Sequence, residues 1–319
     1  FDEGNFLLGS ELEPTKGDWG TIMLNGTQLS SLICCTIEYG KMGITVENGS
    51  LIMQDSFVKS NSENGITINN GTVTIRNNQI VNNTLSGISI AGGSEVNVQN
   101  NIIESNGNGI ILAGNSTSKI NITQNKISLN GQSGILLEAE SYDNTVILNN
   151  TLLTNLYGFC VSTNTSTYIT RNYISNNTVG IYYERGNNHE AHFNDVYENE
   201  LGMDVVSNAT VDASYNYWGH KSGPLHDSLN PDGEGNPVGG DGANLDFIFF
   251  LSAPIDYSNR HPTAVLWTDK TLVAPNQTVT FIGTDSYDDG RVDQYIFDFG
   301  DASNVWTTLS LFGHNYSSV

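Results

Sequence analysis

Glycine followed by an apolar residue recurs at a nearly constant interval along the first two thirds of the chain. After most of these glycines apolar and polar residues alternate, as in GITI from Gly65. Alternation with a period of two predicts short strands with one buried face. The interval is roughly 22 residues, enough for three such strands and their turns, so each repeat predicts one coil of a parallel β-helix. The glycines are Gly43, Gly65, Gly87, Gly109, Gly134, Gly158, Gly180 and Gly202.

Asparagine marks a second row with the same spacing. Two positions after each asparagine lies an apolar residue, and five positions after most of them lies another asparagine. The spacing predicts an inward apolar column and a ladder of amides that hydrogen-bond between coils. We expect the repeated glycines to supply a positive φ at the opposite corner. The ladder is Asn78, Asn101, Asn125, Asn150, Asn172, Asn194 and Asn216, with Asp55 one coil earlier. The column is Phe57, Ile80, Ile103, Ile127, Leu152, Ile174, Val196 and Trp218, and the further asparagines are Asn83, Asn106, Asn130, Asn155, Asn177 and Asn199.

The stretch NYWGHKSGPLHD, residues 216–227, combines the last repeat with polar residues that suggest chemistry. Because Trp218 falls on the inward column, we expect its ring to cover the end of the last coil. The Gly- and Pro-rich residues 230–246 are then expected to end the repeat. On this interpretation His220, Lys221, His226 and Asp227 are solvated turn residues. The alternative is a catalytic or metal-binding cluster.

The unit Asn-x-Ile-x-x-Asn-x-x-Gly-Ile resembles the right-handed parallel β-helix repeats of the NosD-like, carbohydrate-binding and sugar-hydrolase family over residues 19–223. Asn216–Gly219 with Gly223-Pro224 resembles a segment near the end of the helix in that family. The resemblance implies an all-β, right-handed parallel β-helix with about 22 residues per coil and eight or more coils. We assign it residues 1–257, with an N-terminal partial coil or cap and a C-terminal cap at 216–257.

Residues 258–319 resemble a PKD domain, a small immunoglobulin-like β-sandwich. His314 and Tyr316 match that family's His-x-Tyr, after which one more strand is expected, so we expect the module to be incomplete and the polypeptide to be longer. The other matching segments are Pro262–Ala264, Thr278–Gly283, Asp285-Ser286, Asp288–Gly290 and Tyr295–Asp301. Turn formation and calcium binding are alternative roles for its carboxylates, and no other cofactor is expected. These carboxylates are Asp285, Asp288, Asp289, Asp298 and Asp301.

The charge balance narrows the choice of partners. The chain has 12 lysines and arginines against 34 aspartates and glutamates, a net charge of −22. Such a surface repels phosphate backbones and anionic headgroups, which argues against nucleic-acid and membrane partners. No apolar run reaches the ~18–20 residues of a membrane span. We expect Cys34, Cys35 and Cys160 to be buried as small apolar residues, with a structural disulfide as the alternative.

Twelve Asn-x-Ser/Thr sequons occur in the chain. A high density of these acceptors is typical of secreted glycoproteins and predicts N-glycosylation at the cell surface. The acceptors are Asn25, Asn48, Asn70, Asn82, Asn115, Asn121, Asn149, Asn164, Asn176, Asn208, Asn276 and Asn315.

An enzymatic role requires a catalytic grouping, which the sequence does not single out. Glycoside hydrolysis needs two carboxylates at one cleft, and the coil carboxylates are scattered. The best remaining grouping is His192, Asp195 and Glu198 near Arg185, and we expect no catalytic residue.

Two functions of different class remain. PKD-like modules imply archaeal or bacterial surface proteins. The leading hypothesis is therefore a non-enzymatic extracellular structural protein of an envelope layer such as an S-layer, a sheath or an adhesin, which self-associates or binds neighbouring surface proteins. The alternative is a carbohydrate-active or glycan-binding β-helix of the lyase, hydrolase or epimerase kind, with a polysaccharide partner.

Overall fold

The computed structural model describes residues 13–26, 28–91, 95–114, 119–139, 145–241, 243–255, 266–270, 272–283, 295–301, 303–307 and 311–316. The chain divides into two compact units, residues 1–254 and 255–319. Every regular element in the described residues is a β-strand.

Three faces of parallel strands form the first unit, and each coil contributes to all three. The first face contains β1 (Ile22–Asn25), the first halves of β4 (Ile44–Gln54), β6 (Ile66–Arg76) and β20 (Val179–His192), β8 (Ser86–Ala91), β11 (Asn108–Ala113), β14 (Ser133–Leu137), β17 (Tyr157–Ser162) and β22 (Leu201–Val205). The second contains β2 (Leu29–Ile33), the second halves of β4, β6 and β20, β9 (Glu95–Gln99), β12 (Ile120–Thr123), β15 (Thr145–Leu148), β18 (Tyr168–Thr170), β23 (Ala209–Asp212) and β24 (Leu245–Asp246). The third contains β3 (Thr36–Glu38), β5 (Phe57–Lys59), β7 (Gln79–Val81), β10 (Ile102–Glu104), β13 (Lys126–Ser128), β16 (Thr151–Leu153), β19 (Tyr173–Ser175) and β21 (Asp195–Tyr197). The predicted all-β coil of about 22 residues, repeated about eight times, is confirmed.

The predicted inward column is confirmed along most of its length. From Ile80 to Val196 its members pair in register between coils, and each is 0% exposed. The assignment of Asp55 and Phe57 to these rows was wrong by one residue. Val58 fills the column, Phe57 is 40% exposed, and the backbone N–H of Ser56 donates to Asn78 Oδ1. A shift of one residue moves every side chain of a strand to the opposite face.

The repeated glycines serve close approach, which differs from the prediction. None of the eight has a positive φ. A Cβ at Gly109 would lie 2.4 Å from the carbonyl oxygen of Gly134 and 2.6 Å from Ile127 Cγ2. The positive φ belongs to the residue just before each ladder asparagine, such as Asn100 (55°) and Gln124 (58°). Glycine is therefore selected at these positions because a side chain does not fit.

The C-terminal segment of the first unit adds an irregular coil, so the prediction that residues 230–246 end the repeat was wrong. Val238 bridges to Met203, and Leu245 in β24 pairs with Val211. The side chains of Val238, Leu245 and Phe247 are buried. Glycine and proline permit the irregular path, while these few apolar residues still reach core positions. Trp218 is 0% exposed and follows Val196 in the column, but it is covered by this added coil.

The three cysteines are free thiols, and the prediction that all are buried was wrong. Cys34 is exposed at a corner where its φ is 55°. Cys160 points outward from the first face, in register between Leu136 and Tyr182. Burial still raises the pKa of the Cys160 thiol to about 11, so this thiol stays protonated at neutral pH.

The second unit is antiparallel throughout its described strands. One sheet contains β25 (Trp267–Thr268), β26 (Thr278–Ile282) and β29 (Leu311–Asn315), and another contains β27 (Tyr295–Asp298) and β28 (Asn304–Thr307). The core consists of Val279, Phe281, Phe297 and Phe299. Its assignment as a PKD-like sandwich stays a prediction.

Candidate functional site

Two buried asparagine ladders run along the corners of the coils. In the predicted ladder, from Asn78 to Asn216, the backbone N–H and the Nδ2 of each asparagine both donate to Oδ1 of the next, at 2.8–3.4 Å. The second ladder begins at Asn61 and ends at Asn236, two residues that the spacing analysis did not identify. Because neighbouring coils engage these amides, both ladders are structural.

The sequon asparagines lie mostly on the outside of the coils. Asn115 is outside the described residues, and of the remaining eleven only Asn121, in β12, is half-buried while the other ten are exposed. Asn82, Asn149 and Asn176 occupy corner positions with φ of 57°, 56° and 56°. These side chains are therefore accessible to a modifying enzyme in the folded chain.

The polar residues that follow Trp218 do not form one cluster. His220 Nδ1 lies 2.7 Å from Ser222 Oγ, whereas His226 is buried. The backbone N–H groups of Ser228 and Leu229 point at His226 Nδ1, at 3.3 and 3.2 Å, and His226 Nε2 lies 3.2 Å from the carbonyl oxygen of Gly240. The expectation that His226 is a solvated turn residue was therefore wrong. Lys221 and Asp227 are exposed as expected.

The other sequence-predicted groupings are also separated. Arg185 contacts Glu184 and Ser162, while Glu198 contacts Ser175 and Asn176, so neither joins His192. In the described residues no group of three or more His, Cys, Asp or Glu side chains is placed to hold a metal ion.

Two of the five calcium candidates are described, and both belong to turns. Asp298 Oδ1 accepts from the backbone N–H of Gly300, and Asp301 accepts from Ser303 and lies 2.8 Å from His314 Nε2. Hydrogen bonds from Ser303 and from His314 lower the pKa of Asp301 to about 2. The remaining candidates, Asp285, Asp288 and Asp289, lie outside the described residues.

An acidic row on the second face was missed by the sequence analysis. Glu190 of β20, Asp212 of β23 and Asp246 of β24 are direct partners in three adjacent parallel strands. Neighbouring strands are ~4.8 Å apart, so three carboxylates follow one another along the coil axis. We call this row the terminal acidic face. Asp212 follows Glu190 by one regular period, but Asp246 follows Asp212 by a longer interval, which concealed the row.

His192 links the terminal acidic face to a group of aromatic rings. Its Nε2 lies 3.3 Å from Asp212 Oδ1 and its Nδ1 lies 3.9 Å from Glu190 Oε2. The Nε2 atom is buried and close enough to Asp212 for an ion pair, but it makes no aligned hydrogen bond. Phe193, Tyr215 and Phe249 stack at successive corners beside it, with centroids 5.6 and 6.1 Å apart and planes at 13°. We call these three rings the aromatic corner; Tyr215 is 45% and Phe249 64% exposed.

The terminal acidic face borders a concavity of about 490 Å³. Asn188, Thr210 and Asn244 lie beside its three carboxylates and add neutral polar groups. Burial tends to raise the pKa of Asp212, but hydrogen bonds from Ser214 and the electrostatic effect of the nearby His192 outweigh it, so the net effect is a lowered pKa. A glycosidase acid needs the opposite, a carboxyl group that stays protonated, so Asp212 does not suit that role.

Comparison with known proteins agrees with the coil geometry. Residues 20–168 match the family model described as a right handed beta helix region. This match and the three-faced stack of coils support a right-handed β-helix repeat region in the first unit. The match to this β-helix model ends before Glu190, so it does not include the terminal acidic face. No curated protein matches the chain. The part of the β-helix protein that the structure describes has no helix long and apolar enough to cross a bilayer.

Proposed function

We propose that this β-helix protein is a non-enzymatic, extracellular structural protein of a cell envelope layer, sheath or adhesin, glycosylated and self-associating. The observation that carries this proposal is the exposure of eight sequon asparagines on a repetitive coil stack, with two more exposed in the second unit. Two internal amide ladders hold that stack together, which suits a load-carrying rod. The net charge of −22 keeps exposed surfaces of such a protein well solvated.

Self-association has support at the N-terminal end of the coils. Within the described residues β1, β2 and β3 each pair with a neighbour on one side only. A strand with one free edge presents unpaired N–H and C=O groups to another chain. We propose contact with a second copy or with a neighbouring surface protein through this edge.

Mass spectrometry of the protein isolated from its native cells tests the glycosylated surface role. We expect an intact mass above that of the bare polypeptide, with glycans on exposed asparagines such as Asn164 and Asn208 and none on the half-buried Asn121. Sedimentation of the same material, expected to reveal assemblies, tests self-association. A bare polypeptide mass together with a concentration-independent monomer would contradict the proposal.

A second candidate function is glycan binding, which the terminal acidic face and the aromatic corner favour. Carboxylates accept hydrogen bonds from sugar hydroxyls, and aromatic rings pack against apolar sugar faces. Binding of the full chain to a panel of soluble oligosaccharides, compared with an Asp212→Asn and Tyr215→Ala variant, tests this role. Loss of binding in the variant is expected, and a panel without any binding partner would contradict it.

A further inference from the structure

We infer that the terminal acidic face selects glycans that carry free amino groups over neutral and acidic glycans. The inference rests on the glycan-binding function proposed above and specifies its ligand. It follows from the charge, the hydrogen-bonding groups and the strand pairing of this part of the second face.

The negative charge of the terminal acidic face favours a ligand with positive charge. Three carboxylates stand in register at spacings of ~4.8 Å, so they repel one another and any anionic ligand. Among the described residues that line the concavity, none is lysine or arginine. Among the three carboxylates, the contacts of His192 in the described residues reach Glu190 and Asp212 but not Asp246. An ammonium group would relieve this repulsion, whereas the carboxylates or sulfates of acidic sugars would add to it.

Hydrogen bonding and stacking indicate a sugar. Asn188 and Thr210 add neutral polar groups beside the acidic row. Tyr215 is stacked between Phe193 and Phe249, so next to that row Phe249 offers an apolar ring face and Tyr215 an exposed ring edge. Aromatic rings attract ammonium groups and pack against the apolar faces of pyranose rings. Amino-sugar residues carry hydroxyls, an ammonium group and an apolar ring face in one unit.

A basic peptide fits this surface less well. Extended peptides commonly bind by adding a strand to a free sheet edge. On this face β23 is paired on both sides, with β20 and with β24. The edge strand β24 has only two residues, Leu245 and Asp246, so a peptide could add only a very short ladder there and would have to bind mainly through side chains.

Isothermal titration of the full chain with matched hexasaccharides tests the inference. The ligands are a β-1,4-linked glucosamine hexamer, its fully N-acetylated counterpart and a galacturonate hexamer, at about pH 6 and about 0.15 M salt, where long-range attraction is screened. We expect the amine-bearing hexamer to bind about tenfold or more tightly than the acetylated one, and the uronate not to bind. The loss of one charge-assisted contact in Glu190→Gln should weaken amine-hexamer binding about five- to tenfold.

Glu95→Gln is the matched control, because Glu95 is exposed on the same face in an earlier coil and its loss changes the net charge equally. Its binding should remain at the wild-type level. Equal weakening in both variants would overturn the inference in favour of general charge attraction. Equal affinity for both glucosamine hexamers would overturn amine selection while glycan binding stands. If none of the three hexasaccharides binds, both glycan binding and amine selection are rejected. A lysine hexapeptide is titrated as a further ligand. If it binds more tightly than the amine-bearing hexamer and this binding depends on Glu190, the face binds a basic peptide instead.

Discussion

Asn101 and Asn125 connect consecutive coils through two hydrogen bonds to one oxygen. The backbone N–H and the Nδ2 of Asn101 each donate to Asn125 Oδ1, both at 3.0 Å. Asn125 in turn donates from its own N–H and Nδ2 to Asn150 Oδ1, also at 3.0 Å. The ladder therefore repeats one interaction and satisfies corner N–H groups that are shielded from water.

Replacing Asn125 by alanine should destabilise the protein strongly. The backbone N–H of Asn101 would lose its acceptor inside the protein, and each buried group left without a partner costs about 1–3 kcal/mol. We expect a loss of about 3 kcal/mol in the free energy of unfolding, measured by urea denaturation. Asn97→Ala is the control, because Asn97 is half-buried and its side chain accepts from Asn121 on the outer surface. A similar loss in both variants would contradict a special role for the ladder.

Two neighbouring residues of β10 lie on opposite faces of the strand, one inside the core and one outside. Ile103 is 0% exposed in the column, whereas Ile102, next to it, is 36% exposed. Ile103→Ala should cost about 2–5 kcal/mol, as large-to-small changes in cores do. Ile102→Ala, the same chemical change in the same strand, should cost about 1 kcal/mol or less. Chemical denaturation of both variants decides the point, and equal costs would contradict the assigned face.

Gly109→Ala should destabilise the coil stack, although alanine lowers the conformational entropy of the unfolded chain and would otherwise be stabilising. Its Cβ would lie 2.4 Å from the carbonyl oxygen of Gly134, so strands must shift, and overpacking typically costs about 1–3 kcal/mol. At Gly131 the nearest atom to an added Cβ is 3.8 Å away, and Gly131→Ala should be neutral or slightly stabilising. Thermal unfolding of the pair tests this. A stable Gly109→Ala variant would show that the close approach is not required.

His189 should make the β-helix less stable as the pH falls below about 6.5. It is 1% exposed, and burial lowers its pKa, although a hydrogen bond to the carbonyl oxygen of Arg185 opposes the shift. The unfolded chain, where histidine has its ordinary pKa of about 6.5, then binds more protons than the folded one. Stability is therefore fully present above about pH 6.5 and is lost as the pH falls toward the lowered folded value.

Unfolding free energies at about pH 7.5 and 5.5 measure this effect. His189→Gln should reduce the difference between the two pH values, whereas His220→Gln, at a half-exposed site, should leave it nearly unchanged. An unaltered difference in His189→Gln would assign the pH dependence to other groups.

The two histidines after Trp218 should differ in their contribution to stability. His226→Ala leaves the N–H groups of Ser228 and Leu229 without their acceptor and should cost about 1–3 kcal/mol. His220→Ala removes a half-exposed ring and should cost about 1 kcal/mol or less. Denaturation of the two single variants gives both values. If the two losses match, burial of His226 is not what stabilises the irregular coil.

The sequence by itself determined the coil period, the inward column from Ile80 to Val196 and the spacing of the ladder asparagines. These features repeat at one nearly constant interval, and each strand pairs with its copy one coil later, so the linear spacing maps directly onto spatial neighbours. Only the tertiary structure decided what lies outside the period. Asn236 completes the second ladder from beyond the regular interval after Asn199, and Asp246 likewise joins Asp212 across more than one period. Such contacts depend on how an irregular segment packs against the last coils, and no local pattern of apolar and polar residues encodes that path.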